Sequence, residues 1–203
     1  MTDHPILFSG PMVRALLEGR KTQTRRVLKP QPQESWHSPQ VSTGLRSVSW
    51  TSGEGYVQDC RVPAHVGDRL WVRETHGFEA RLDLPKGQKV KYRATNGLAL
   101  PPDSGWKPSI HMPRWASRLT LTVTDVRVQR LQDISEEDAK AEGAGSLTSN
   151  MPGVESVSHV QSFQKLWDSL NADRGFGWQA NPWIVAYTFT VHPQNIDQEG
   201  DNV

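Results

Sequence analysis

Cysteine is nearly absent from this 203-residue chain: Cys60 is its sole thiol, so no intramolecular disulfide can form. A reducing compartment follows as the expectation, and the chain is read as cytoplasmic. Its seven histidines show no ligand-like pairing such as His-x-x-x-His, which predicts neither a structural metal nor a metal cofactor. No apolar run approaches the roughly 20 residues that a membrane span needs. Met1-Thr2-Asp3-His4-Pro5 lacks a basic region followed by an apolar stretch, so neither membrane contact nor secretion is expected. An excess of one charge is missing too. With a formal net charge of +1 the whole chain is not a polycation that holds nucleic acid by charge alone. Apolar residues are scarce, at 35% with a mean hydropathy of -0.60. Eight tryptophans nevertheless supply enough buriable ring area to exclude wholesale disorder.

What charge there is lies unevenly. Arg14, Arg20, Lys21, Arg25, Arg26 and Lys29 crowd one segment against Glu18 alone, while Asp133, Glu136, Glu137, Asp138 and Glu142 crowd another against Lys140 alone. A basic segment and an acidic helix can face each other or share a site. The basic segment follows a short helix read over Met12 to Glu18, with Ser9 and Pro11 as its starting signals and Gly19 as its stop. The acidic helix is read over Glu136 to Glu142, opened by Ser135-x-x-Asp138 and closed by Gly143.

Strand signals dominate elsewhere. Arg69 to Glu74 alternates, with Leu70, Val72 and Glu74 on one face. A long strand is read over Arg118 to Leu131, with a bulge near Thr124-Asp125 where the apolar parity changes. Phe163, Leu166, Trp167 and Leu170 mark a third helix, and Trp183 to Val191, apolar at its odd-numbered positions, is the clearest strand. The stretches near 30–60, 76–113 and 144–158 read as irregular insertions, apart from a strand at Gln88 to Tyr92, and 194–203 as a flexible tail. With no internal repeat and no βαβ rhythm, the chain is expected to be α+β, a small barrel with short flanking helices in a single domain over 1–193. The mouth of such a barrel is a usual place for a small ligand.

Gly19-Arg20-Lys21-Thr22-Gln23-Thr24-Arg25-Arg26 carries the pattern Gly-x-Lys-x-x-Thr-x-Arg directly after the first helix. This pattern resembles the signature of the ASCH superfamily of small PUA-like β-barrels. The resemblance extends to Gly67 to Glu74, Ile134 to Gly143 and Trp183 to Val191, about half the chain, and the chain looks like the longer phage and prophage members. Small bacterial members hydrolyse the acetyl amide of N4-acetylcytidine with a Lys, a Thr and a Glu. The resemblance places these on Lys21, Thr24 and Glu142, with Glu136 or Glu137 as alternatives to Glu142 should the alignment shift. It implies an amidohydrolase acting on a modified nucleoside, with a non-catalytic RNA- or DNA-binding module and a ribonuclease as the alternatives; the chain is expected to be a monomer.

The residues allow such chemistry. A threonine hydroxyl attacks only when a neighbour takes its proton. Lys21 can do so if neutral, and repulsion from Arg20, Arg25 and Arg26 favours that form. Residues three apart on a regular strand face opposite sides, so Lys21 must sit in the turn after Gly19 to meet Thr24. Arg26 shares Thr24's face and can bind substrate. Glu142, at a helix C-terminus, is placed where the macrodipole raises a carboxylate's pKa, which suits an acid. The bland reading of the same run is a solvated basic patch. Glu74 is read either as a substrate-binding group at the mouth or as a residue just past the rim. Trp106, Trp115 and Trp178, near Gly, Pro or Arg in loops, are the tryptophans available for stacking on a base.

Overall fold

The structure, a computed structural model, describes residues 1–32, 47–52, 57–80, 88–96, 104–145 and 156–198. In chain order its elements are β1 (Asp3–Leu7), α1 (Gly10–Leu17), β2 (Gln23–Val27), β3 (Ser47–Thr51), β4 (Val57–Arg61), β5 (Arg69–Arg73), β6 (His76–Ala80), β7 (Gln88–Tyr92), α2 (Arg93–Asn96), β8 (Thr120–Arg130), α3 (Glu136–Ala141), α4 (His159–Asn171) and β9 (Trp183–His192). Single 3-10 turns lie between them. The architecture is α+β, as the patterns predict. Hydrogen bonding orders five strands β1-β5-β8-β9-β2, a linear order rather than a ring among the described residues.

The chain divides into two units. One holds Met1–Gly19, Gly67–Thr122 and Thr190–Val203. Here β1 lies parallel to β5, with Ile6 opposite Val72, and β5 pairs antiparallel with the start of β8, with Leu70 opposite Leu121. The alternation read over Arg69 to Glu74 is realised: Leu70, Val72 and Glu74 are buried. In α1, Pro11 sits in the first turn, where its missing amide hydrogen leaves no bond unmade, and Val13, Ala15 and Leu16 are buried. The stretch expected to be irregular near 76–113 contains β6 as well as the expected β7, paired antiparallel with His76 opposite Tyr92. Pro101, Pro102 and Asp103, read as a loop, lie outside the described residues. The chain after β9, expected to be flexible from 194, is anchored through its first residues. Asn195 Nδ2 donates to the Ser117 carbonyl at 2.7 Å, and Ile196 is buried.

The other unit holds Arg20–Val66 and Val123–Phe189. β2 runs antiparallel to β9, with Thr24 opposite Tyr187, Arg25 opposite Ala186 and Val27 opposite Ile184. Directly opposed residues share a sheet face, so Arg25, Val27, Ile184 and Ala186 line one side while Thr24, Arg26, Val185 and Tyr187 line the other. The first side faces a core in which Ile184 and Ala186 meet Leu131 and Ala139 around α3 and Phe163 and Trp167 of α4. From Ile184 to Tyr187 every residue is buried, so β9 is covered on both faces and not only at its odd positions. The region near 30–60, read without strands, carries the hairpin β3–β4, in which Val48 pairs with Cys60. Trp50 packs its edge on Trp183. Residues 33–46, 53–56 and 146–155, where insertions were expected, are outside the described residues.

Parity in β8 breaks where the sequence predicts, for Thr124 and Asp125 are both exposed in succession. Ser135 caps α3 by accepting a hydrogen bond from the Asp138 amide at 3.1 Å. Ser135→Ala is expected to lower stability by about 1 kcal/mol, because it strands one amide of the first turn. Chemical denaturation checks this, with an unchanged m-value marking a native-state effect.

Candidate active site

Gly19 holds φ at +70°, a conformation that costs a residue without Cβ little, and the turn delivers Lys21 ahead of β2 rather than within it. Backbone pairing then fixes Lys21 beside the end of α3. Lys21 bridges Glu142, and the Thr22 amide donates to the Ala141 carbonyl at 2.8 Å. Lys21, 1% exposed, sends Nζ to Glu142 Oε2 at 2.7 Å and to the Glu142 carbonyl at 2.8 Å. Of the three glutamates considered for this helix, Glu142 is the one on Lys21. Glu136 instead accepts from the His159 amide at the start of α4, and Glu137 is exposed.

Asp138 and Glu142 stand four residues apart and therefore share a helix face. Gln23 and Arg25, two apart on β2, share the strand face turned to them. Arg25, its side chain fully buried, donates through Nη1 to Glu142 Oε1 at 3.1 Å and through Nη2 to Asp138 Oδ2 at 2.7 Å. Gln23 and Arg127 complete the shell of Asp138. Burial works to raise the Asp138 carboxyl, and the hydrogen bonds from Arg127 and Gln23 with the charge of Arg25 outweigh it, holding it below the ordinary value. Glu142 is thus one carboxylate gripped by two buried cations. Sequence reasoning treated Arg25 only as a repelling neighbour and Asp138 only as a capping residue. The i, i+4 acids facing an i, i+2 polar pair were the signal that marks both.

On the opposite face of β2, Arg26 Nη1 donates to Thr24 Oγ1 at 2.9 Å, and Thr24 is buried. The shared face of Thr24 and Arg26 read from alternation is present. The two sets of groups feel each other. Burial lowers the Lys21 pKa most; the Glu142 carboxylate opposes this, and the charges of Arg26 and Arg25 add to the fall. The Arg26 guanidinium is in turn pushed down by burial and held up by Glu142 and Tyr187. Arg20 donates a hydrogen bond to the Gly143 carbonyl.

No family model matches the chain, and no curated protein matches it. Among solved structures it is similar to an ASCH domain from Lactobacillus crispatus, at 14% identity and a TM-score of 0.41, over 94% of this chain and 79% of that one.

Glu74 belongs to the first unit, where its buried carboxylate takes a bidentate bond from Arg118, Nε to Oε1 at 2.8 Å and Nη2 to Oε2 at 3.0 Å. Burial raises its pKa and Arg118 works against that rise. The tryptophans read for stacking divide. Trp115 stacks on Phe78 at 5.6 Å between centroids, and Trp178 packs edge-on to Phe163 beside the core. Trp106 is half-buried. Cys60 is a buried thiol whose pKa is raised by its surroundings, and Sγ reaches the Pro30 carbonyl at 3.1 Å. Among the described residues no three His, Cys, Asp or Glu side chains converge to hold a metal, and no helix is long and apolar enough to cross a membrane.

Proposed function

We propose that the second unit carries an amide hydrolase site that removes an N-acyl group from N4-acetylcytidine or a related modified cytosine nucleoside or base. Thr24 is the nucleophile, Lys21 its activator, Glu142 the acid/base and Arg26 the group that orients the substrate. The observation that carries this reading is the buried Lys21–Glu142 couple: an amine taken out of water, eased toward its neutral form, with a carboxylate at 2.7 Å to receive its proton. The motif resemblance of residues 19–26 supplies the substrate class. The reading gives no step to Glu74, whose carboxylate is already taken up by Arg118.

The step runs as a proton cycle. Lys21 passes its proton to Glu142, and the neutral amine takes the proton of Thr24 as Oγ1 attacks the acyl carbon. The Arg26 hydrogen bond on Oγ1 favours the developing alkoxide. When the carbon–nitrogen bond breaks, the Glu142 proton goes to the departing N4 and leaves cytidine with an acyl ester on Thr24. Water, deprotonated in the same way, cleaves the ester to the carboxylic acid and restores the hydroxyl.

A hydrolysis screen over N4-acylated cytosines and cytidines, run beside Lys21→Ala, tests this. The profile of kcat/KM is expected to fall as pH rises through a pKa below the ordinary lysine range, because the cycle starts from a couple that holds one proton and burial lowers the pKa at which Lys21 gives it up. Lys21→Ala is expected to lose both activity and that falling limb. Full activity in that variant removes the proposed role.

A further inference from the structure

The hydroxyl of Tyr187 is a buried donor with no acceptor among the described residues. The residue is 3% exposed, and Oη makes no hydrogen bond to any described residue. The Ala64 amide approaches the phenolic oxygen outside hydrogen-bonding geometry, and being itself a donor it cannot take the phenol's proton. Leaving such a group unmatched costs about 1–3 kcal/mol, so its retention calls for an acceptor that arrives with a ligand. Its position says where. Tyr187 stands directly opposite Thr24 across the β2–β9 ladder, so the two side chains are neighbours on one face, and Arg26 lies on that face two residues on. Burial raises the phenol to about 12 against the charge of Arg26, so it keeps its proton through neutral and moderately alkaline pH.

We propose that Tyr187 Oη donates to the acyl oxygen of a substrate seated on Thr24, which makes Tyr187 a further catalytic residue; this rests on the amide-hydrolase reading above. As Thr24 Oγ1 bonds to the acyl carbon, the carbonyl π electrons move onto oxygen, and the phenol O–H meets the charge that forms there. No proton transfer from Tyr187 is required. The acyl oxygen thereby becomes the acceptor missing in the free protein, and the site selects for a group that carries one.

Tyr187→Phe tests the proposal, with kcat and KM for N4-acetylcytidine and the melting temperature measured together. A fall in kcat of about 10²-fold is expected, with KM little changed. The melting temperature is expected to hold or rise, since the change removes an unsatisfied buried donor. Wild-type turnover matched by an equally active Tyr187→Phe protein overturns this inference and leaves the hydrolase reading standing. If the wild type does not turn over, that reading fails, and calorimetric binding of N4-acetylcytidine against cytidine decides the role of the hydroxyl. A wild-type preference for the acylated compound that Tyr187→Phe abolishes supports acyl recognition; no preference overturns it.

Discussion

Glu142→Ala is expected to destabilise the protein by about 3–5 kcal/mol, the penalty for removing one member of a buried ionic group and leaving the rest uncompensated. Two cations lose their partner at once. Lys21 Nζ loses Oε2 and Arg25 Nη1 loses Oε1, and both side chains are buried. Arg25 keeps Asp138, whereas Lys21 keeps the residue-142 backbone carbonyl. The loss therefore depends on pH. Glu142 is what holds the Lys21 pKa up against burial, so the variant's folded-state value falls further below that of the unfolded chain. Between those two values the unfolded state binds more protons, and stability rises with pH. The deficit is expected to be greatest below the folded-state pKa of Lys21 and to shrink as pH rises toward the ordinary lysine range. Urea denaturation at a series of pH values checks this. A loss under 1 kcal/mol that is flat with pH contradicts the account of Glu142 as the counter-charge of Lys21.

Thr24→Ala is expected to cut kcat on N4-acetylcytidine by about 10⁴-fold or more, since members of a nucleophile–base pair act as a unit and losing either removes most of the chemistry. The fold should survive, because the removed hydroxyl accepts one hydrogen bond from Arg26, which also donates to the Arg25 carbonyl. Thr24→Ser retains an oxygen at the same position and is expected to recover part of the rate. An alanine variant with intact turnover assigns the nucleophile elsewhere.

Much of the frame was legible because the signals are local. The Ser135 cap, the glycine that ends α3 and the apolar run of β9 each depend on residues within a few positions. The hairpins β3–β4 and β6–β7 were harder, since a strand such as β6, with His76, Gly77 and Glu79, has little alternation and is defined by its partner. At the site, Lys21, Thr24 and Arg26 stood out as a motif, whereas the burial of Lys21 depends on distant elements, with the neighbouring Thr22 backbone bonded to Ala141 of α3 and Phe189 of β9. Arg25 read as one more cation in a basic run. It is the centre of the buried network because strand parity turns it toward Asp138 and Glu142 while Thr24 and Arg26 turn away. Tyr187 read as an apolar strand position, and its unmatched hydroxyl emerges from packing alone.

That same parity sets the demand on the mechanism. Glu142 lies on the Arg25 side of β2 and Thr24 on the other, so Lys21, which precedes the strand and is free of its alternation, has to serve both. Trapping the acyl-enzyme tests this most directly. Protein mixed with excess N4-acetylcytidine and acid-quenched within one turnover is digested and mapped by mass spectrometry. One acetyl group on the hydroxyl of Thr24, absent when Lys21→Ala is treated in the same way, is the predicted result. Cytidine released with no acetyl on Thr24, or Thr24 acetylated as fast without the lysine, would contradict it.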